Sequence, residues 1–276
     1  MFELPEIITL ARQINETLKG KSIRNGQLGN SPHKFVWYNR SHKEFSELTK
    51  GKTICEAWAK GRWLFIPLHP GYVLLLGECG GKVLYHPPGS KVPKKYHLYI
   101  LFEDDSFFTA TTQMWGAMEL YEKGQEQDRK YVKDMRTTPI EPDFTFDYFC
   151  ALIDTLTTGK KRSVKALLTQ DQIIPGLGNA IAQDILFRAS LHPKHPISDI
   201  STSQKCVLYD AILNTVQEVI ELGGRYDEYD LYNQPGNYVR LMDKNAVGHP
   251  CPECGSNIEK IKYLGGTCYF CPNCQN

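Results

Sequence analysis

Four cysteines close the chain in two C-x-x-C pairs, Cys251-Pro-Glu-Cys254 and Cys271-Pro-Asn-Cys274, with sixteen residues between them. Two such knuckles supply four thiolates from two tight turns, the donor set of a tetrahedral zinc site. With every position taken by sulfur the metal has no place for a substrate, so one structural zinc ion is expected. Two disulfides or four free thiols are the competing reading. Spacing alone also admits a register through Cys268, because Cys268-Tyr-Phe-Cys271 is a third C-x-x-C. Proline after both Cys251 and Cys271 makes those two knuckles alike, and Thr267 to Phe270 reads as the strand entering the second. That leaves Cys268 outside the ligand set.

Two further stretches carry chemistry. At the start, Glu3 and Glu6 stand three residues apart beside the terminal amino group of Met1. Two carboxyls there suit acid-base work, although Glu6 is also explained by the positive end of a helix. In the second half, Gln172-Ile-Ile-Pro-Gly176-Leu-Gly178-Asn179 leads into a helical pattern, and Asn179 is the expected N-cap. Exposed amides at such a turn favour anions, and Lys160, Lys161, Arg162 and Lys165 lie on the segment that enters it. From Gly159 to Lys205 seven Lys or Arg face three Asp, a net of +4, whereas the whole chain carries only +1. A DNA phosphate fits this turn; a plain helix-helix connection with a capping asparagine fits it as well.

The elements that position these residues follow from periodicity. Pro5 to Lys19 reads as a helix whose apolar face is Ile7, Leu10, Ala11, Ile14 and Leu18. From Ser22 to Tyr121 the pattern changes to short aromatic and β-branched runs punctuated by Gly and Pro, the signature of a sandwich or barrel. Residues 122–142 are polar and aperiodic and read as a linker. Helical patterns follow at 147–156, 163–169, 179–189 and 203–222, and 226–246 reads as a loop into the cysteine module. The 276 residues and 41% hydrophobic content accommodate two domains plus a small metal module. No run of eighteen apolar residues occurs and acids stand where a signal peptide needs basic residues, so no membrane span and a cytoplasmic location are expected. The scattered Cys55, Cys79, Cys150 and Cys206 agree with reduced thiols.

Taken together, Glu3-Leu-Pro-Glu6, Lys161-Arg-Ser-Val-Lys165-Ala-Leu-Leu, Gly176-Leu-Gly-Asn179, Leu186-Phe-Arg-Ala, Leu191-His-Pro193 and Tyr269-Phe-Cys-Pro-Asn-Cys-Gln275 resemble the formamidopyrimidine-DNA glycosylase and endonuclease VIII family. The resemblance covers nearly the whole chain, with three motifs in the family's order. It implies an α+β protein: an N-terminal β-sandwich with a flanking helix (1–121), the linker (122–142), a helical helix-two-turns-helix DNA-binding domain (143–248) and a zinc finger (249–276). It also implies a monomer that binds damaged double-stranded DNA, associated with the nucleoid, and excises the lesion base by cleaving its N-glycosidic bond. The alternative is a relative that recognises damaged DNA without chemistry.

In that family a proline exposed by methionine removal attacks the sugar carbon, with a glutamate beside it and another three residues on. Glu3 and Glu6 match the glutamates, but Phe2 stands in the proline's place and hinders removal of Met1. Met1 therefore carries the free amine; proline-type catalysis and its lyase step are not expected, and the Met1 amine or water is the nucleophile. Arg62 occupies the site of the family's hairpin lysine, and Lys60 lies two residues away; an arginine keeps the charge but cannot act as a nucleophile. The family's intercalating methionine falls near Cys79, and its arginine-rich wedge near Gln113-Met114-Trp115, where Met114 and Trp115 can fill the void left by a flipped nucleotide. Gly266 stands where the family's finger has a tip arginine, so the finger is expected to keep its scaffold role, with its direct grip on DNA either lost or moved to Lys260 or Lys262. Glu119 and Glu122 read as parts of a solvated linker.

Overall fold

A computed structural model describes residues 1–30, 34–157 and 161–276. Gly159 and Lys160 of the basic stretch lie outside the described residues. By internal packing the chain forms two units, one built from Met1–Met135 with Leu222–Asn237 and the other from Arg136–Glu221 with Tyr238–Asn276.

In the first unit, helix α1 (Leu4–Thr17) begins with Pro5 in its first turn, where a missing N–H costs nothing, and with Glu6 at its positive end. Ile7, Leu10, Ala11 and Ile14 recur at helical spacing and are buried. The larger side chains, Ile7, Leu10 and Ile14, each contribute about 1.5–3 kcal/mol by leaving water. They share one core with two sheets that are antiparallel apart from one parallel pair at an edge. One sheet has the order β1 (Ile23–Leu28), β8 (Leu98–Phe102), β9 (Phe107–Thr112), β7 (Gly81–His86). The other runs β2 (Val36–Trp37), β10 (Gly116–Glu122), β6 (Tyr72–Gly77), β5 (Trp63–His69), β3 (Thr53–Ile54), with β4 (Trp58–Lys60) also on β5. This is the expected β-sandwich. Period-two alternation sends Leu64, Ile66 and Leu68 of β5 into the shared core and Trp63 and Phe65 to the opposite face.

That opposite face corrects the linker reading. A short helix α3 (Lys130–Lys133) places Val132 against Trp63, Phe65, Val73 and Leu75. Arg129 lies 4.2 Å over the Trp63 ring and donates to Glu119 at 2.5 Å. Glu119 is therefore a buried ion-pair partner, not a solvated linker residue. Residues to Met135 fold onto the first unit because the second face of β5 and β6 is apolar and must be covered. Also absent from the periodicity reading are β1, whose Asn25-Gly26-Gln27 centre breaks the alternation, and helix α2 (His42–Thr49), signalled only by the capping box of Ser41 and Glu44.

The second unit contains α4 (Phe146–Thr157), α5 (Val164–Thr169), α6 (Asn179–Arg188) and α7 (Thr202–Glu221), followed by the hairpin β11 (Glu259–Tyr263) and β12 (Gly266–Phe270). Between α5 and α6 the chain makes two turns, with Asp171, Gln172 and Gly176 at positive φ and the Gly176 N–H donating to Gln172 Oε1 at 2.9 Å. The segment 222–237, read from sequence as part of the helical domain, packs instead with the first unit. Its backbone and side chains bond α1 and β7: Leu231 N–H donates to Gln13 Oε1, and Tyr85 N–H donates to the Leu231 carbonyl.

Candidate active site and nucleic-acid interface

Phe2 is a core residue, buried among the sandwich side chains, and its N–H donates to the Cys79 carbonyl at 3.0 Å. This anchor leaves Met1 as an exposed end whose amino group lies 2.6 Å from Glu228 Oε1. Beneath it Glu3, Glu6 and Arg225 are all buried. Arg225 donates from Nε and Nη2 to the two oxygens of Glu6 at 3.0 Å each, and from Nη2 to the Met1 carbonyl at 2.8 Å. Its guanidinium also lies 3.9 Å from Glu3 Oε1 and 3.5 Å from Glu228 Oε1. Glu6 in turn accepts the Glu3 N–H at 2.8 Å, closing the first turn of α1.

Two glycines make this approach possible. Gly223 and Gly224, with φ of +74° and +105°, end α7 and turn the chain back. A Cβ on Gly224 would meet Glu6 Cγ at 3.2 Å, so glycine lets the Arg225 N–H reach Glu6 Oε1 at 3.1 Å.

The electrostatics follow from burial and pairing. Burial pushes the Glu6 carboxyl up, but the Arg225 charge and the hydrogen bonds outweigh it and hold Glu6 below the ordinary value. Arg225 is held in its charged form because Glu6 and Glu3 more than offset its own desolvation. Glu228 is raised by burial, against the opposing pull of the terminal ammonium and Arg225. A carboxylate raised in this way and touching an ammonium group is suited to taking its proton.

Around this cluster, Arg62 sits in the β4–β5 turn, 3.3 Å from Glu78 and 3.6 Å from Met1 Sδ. Lys60 precedes it on β4, half-buried. Cys79, aligned with an intercalating residue, is buried and its thiol is pushed up to about 12 by burial, so it is neither a wedge nor a nucleophile. Met114 and Trp115 are exposed on the β9–β10 loop.

The remaining sequence candidates meet in the second unit. Asn179 is not the cap of α6: Gly178 holds that position and Asn179 is the first helical residue. Its side chain donates instead to the Thr267 carbonyl of β12 at 3.2 Å and accepts from Gln183 at 3.1 Å. Lys165 is not a solvated cation either; it is 1% exposed and donates to the Tyr263 carbonyl at 2.7 Å. Both hold the hairpin turn. A Cβ at Gly266 would stand 3.0 Å from Asn179 Oδ1 and 3.4 Å from Lys165 Nζ, a physical reason for glycine at this tip. Lys161 is exposed, and Arg162 pairs with Asp171 at 3.5 Å. On β11, Lys260 and Lys262 share a face with Thr267 and Tyr269 opposite them, and with Lys244 they line a shallow concavity of about 260 Å³.

The Sγ atoms of Cys251, Cys254, Cys271 and Cys274 all lie within 4.8 Å of one another. Two of the separations are 3.8 and 3.5 Å. A tetrahedron of Zn–S bonds of about 2.3 Å has edges of about 3.8 Å, so the set fits zinc, whereas a disulfide needs about 2.0 Å. Cys268 is buried in β12 and is not part of the set. The zinc site is structural: it ties the hairpin to Ile258 and, through Phe187, to α6.

Family comparison agrees with this arrangement. Residues 1–130 match the formamidopyrimidine-DNA glycosylase N-terminal domain and residues 136–228 match the formamidopyrimidine-DNA glycosylase H2TH domain. The chain belongs to the formamidopyrimidine-DNA glycosylase family. It is 26% identical to the formamidopyrimidine-DNA glycosylase of Bacillus cereus over 279 residues, covering 100% of this chain and 99% of that one. It is 29% identical to that of Lactobacillus helveticus over 290 residues, again covering 100% and 99%. Among solved structures, Lactococcus lactis Fpg in complex with DNA containing an abasic site superposes with a TM-score of 0.86 at 25% identity, covering 99% of each chain. The complex of the same Fpg with DNA containing Fapy-dG gives 0.86 at 25% identity and 99% of each chain. Among the described residues no helix is long and apolar enough to cross a membrane.

Arg225 and Glu228 complete this cluster and were not among the residues that the sequence singled out. The one local signal was the Gly223-Gly224 pair, which marks a turn but not its destination.

Proposed function

We propose that this chain is a monomeric DNA-repair glycosylase that binds duplex DNA carrying a damaged base and cleaves the N-glycosidic bond of that base. The observation that carries the reading is the free Met1 amine held on Glu228 above the buried Glu3, Glu6 and Arg225 cluster. In the proposed step Glu228 takes a proton from the Met1 ammonium, the nitrogen lone pair bonds to the sugar C1′, and the glycosidic electron pair leaves with the base. The departing base takes up the proton that Glu228 removed, and Glu3, a carboxylate beside Arg225, stabilises the positive charge that develops on the sugar. Glu6, clamped by Arg225, positions the first turn of α1. The phosphodiester backbone is held by Lys60, Arg62 and Lys161, with Lys260 and Lys262 in place of a tip arginine. Lys165 and Asn179 act through the hairpin turn they hold, and Met114 and Trp115 fill the void left by the flipped nucleotide. The protein works in the cytoplasm, on the nucleoid.

The test is incubation with abasic-site DNA and borohydride followed by peptide mapping, together with base release from oxidised, alkylated and deaminated duplexes. An adduct on the Met1 peptide and loss of base release in Glu3→Gln are expected. Base release with no trapped adduct assigns the attack to water. No release from any duplex by folded, zinc-loaded protein overturns the reading.

A further inference from the structure

Two of the cysteines that lie scattered in the sequence share one helix-helix seam. Cys150 stands on α4 and Cys206 on α7, and both are free thiols, the first half-buried and the second exposed. The two helices pack against each other inside the second unit. They run in opposite directions, because the later part of α4 meets the start of α7. Asp154 pairs with Lys205 at 2.7 Å, while Phe146 and Phe149, earlier on α4, lie 5.6 and 5.8 Å from the Tyr209 ring. Tyr209 Oη donates to the Phe144 carbonyl at 2.8 Å and fixes the register of the seam.

Helical spacing then brings the two sulfurs to one flank. Cys150 comes four residues after Phe146 and four before Asp154, so it lies on the ridge between the residue that meets Tyr209 and the one that meets Lys205. Cys206 directly follows Lys205 and stands three residues before Tyr209, which puts it opposite that ridge. Burial pushes the Cys150 thiol up; Lys205 opposes this, and Asp154, Asp147 and Cys206 add to it. Cys206 is thus close enough for its charge to act on Cys150.

We propose that Cys206 and Cys150 form a thiol pair that hydrogen peroxide closes to a disulfide, stapling α4 to α7. Cys206 is exposed and meets the oxidant first. Its sulfur attacks one peroxide oxygen, the O–O bond breaks, and the other oxygen leaves as water with the thiol proton, giving a sulfenic acid. The Cys150 sulfur then attacks the sulfenic sulfur. The S–S bond forms, the S–O bond breaks, and the hydroxyl leaves as water with the Cys150 proton. Two thiols and one peroxide become one disulfide and two waters. A half-buried thiol with a raised value is a poor first target for peroxide, but beside a sulfenic acid its proximity suffices. In a reducing cytoplasm such a bond is a transient, redox-sensing one. The pair is independent of the Met1 chemistry.

The test treats full-length, zinc-loaded protein with equimolar hydrogen peroxide, then alkylates it and digests it without reductant. The Cys150 and Cys206 peptides should be joined and closed to alkylation, with zinc content unchanged, and dithiothreitol should reverse both effects. Circular dichroism of the helices should show the oxidised form melting at least about 4 °C above the reduced form, because the bond closes a long loop in the unfolded chain. In Cys150→Ser the sulfenic acid has no partner and should be captured on Cys206 by dimedone, whereas the wild type should give no such adduct. A dimedone adduct on wild-type Cys206 without the cross-link overturns the pair, as does a cross-link between two chains. Both thiols staying open to alkylation, or an oxidised form that melts no higher than the reduced one, overturns it as well.

Discussion

Arg225→Ala is the perturbation that most directly questions the amine site. Arg225 is buried and donates two side-chain hydrogen bonds to Glu6 at 3.0 Å and one to the Met1 carbonyl at 2.8 Å. Truncation leaves Glu6 buried, accepting only backbone N–H groups. Removing one partner of a buried ion pair costs about 3–5 kcal/mol, in line with two charge-assisted bonds of roughly 1.5–3 kcal/mol each. The pH dependence has a definite sign. In the wild type Glu6 is depressed, so its contribution is present above the ordinary carboxyl value of 4.5 and is lost as pH falls through the lower folded value. In Arg225→Ala burial is no longer opposed by the guanidinium, and Glu6 moves up. The folded variant then gains a proton more readily than the unfolded chain, so its deficit shrinks as pH is lowered from 8 toward 5. All four tryptophans, Trp37, Trp58, Trp63 and Trp115, lie in the first unit, so denaturant titration followed by tryptophan fluorescence reads that unit. Adding Glu6→Gln to Arg225→Ala should remove the part of the pH dependence that Glu6 contributes, leaving the smaller part from Glu228, which Arg225 also faces. A deficit below about 1 kcal/mol, or one equal at pH 5 and pH 8, would refute the clamp.

Further outcomes are expected elsewhere. Metal analysis should find one zinc per chain, retained in Cys268→Ser and lost in Cys254→Ser or on chelation, with lower thermal stability in the last two. Lys161→Ala should reduce the slope of log affinity against log salt by about 0.9 without moving the melting temperature, whereas Lys165→Ala, which removes a buried donor to Tyr263, should lower the melting temperature. An unchanged salt slope in the first, or an unchanged melting temperature in the second, contradicts the placement of these lysines. Asp184 accepts from Tyr238 Oη and from the N–H groups of Leu241 and Met242. Asp184→Ala strands three donors, so a loss of at least about 3 kcal/mol is expected by circular dichroism of the helical unit.

Much of the protein was legible from residue order because the relevant physics is local. Thiolate spacing within two turns specifies the zinc ligands, period-two runs specify most strands of the sandwich, and helical spacing specifies α1, α4, α6 and α7 to within about two residues. The reach of tertiary contacts decided the rest. Glu119 reads as a solvated charge until Arg129, ten residues on, folds over Trp63 and pairs with it. Lys165 and Asn179 read as phosphate ligands until the hairpin 98 and 88 residues away takes their donors. The acidic start behaves in the same way. Glu3 and Glu6 were visible at once, but what clamps Glu6 and lies beside Glu3 is Arg225, which lies 219 residues from Glu6 and is brought in by two glycines. A partner that far along the chain leaves no periodicity to read. Only the packing of 222–237 against α1 places a buried cation on two carboxylates and a proton acceptor on the terminal amine.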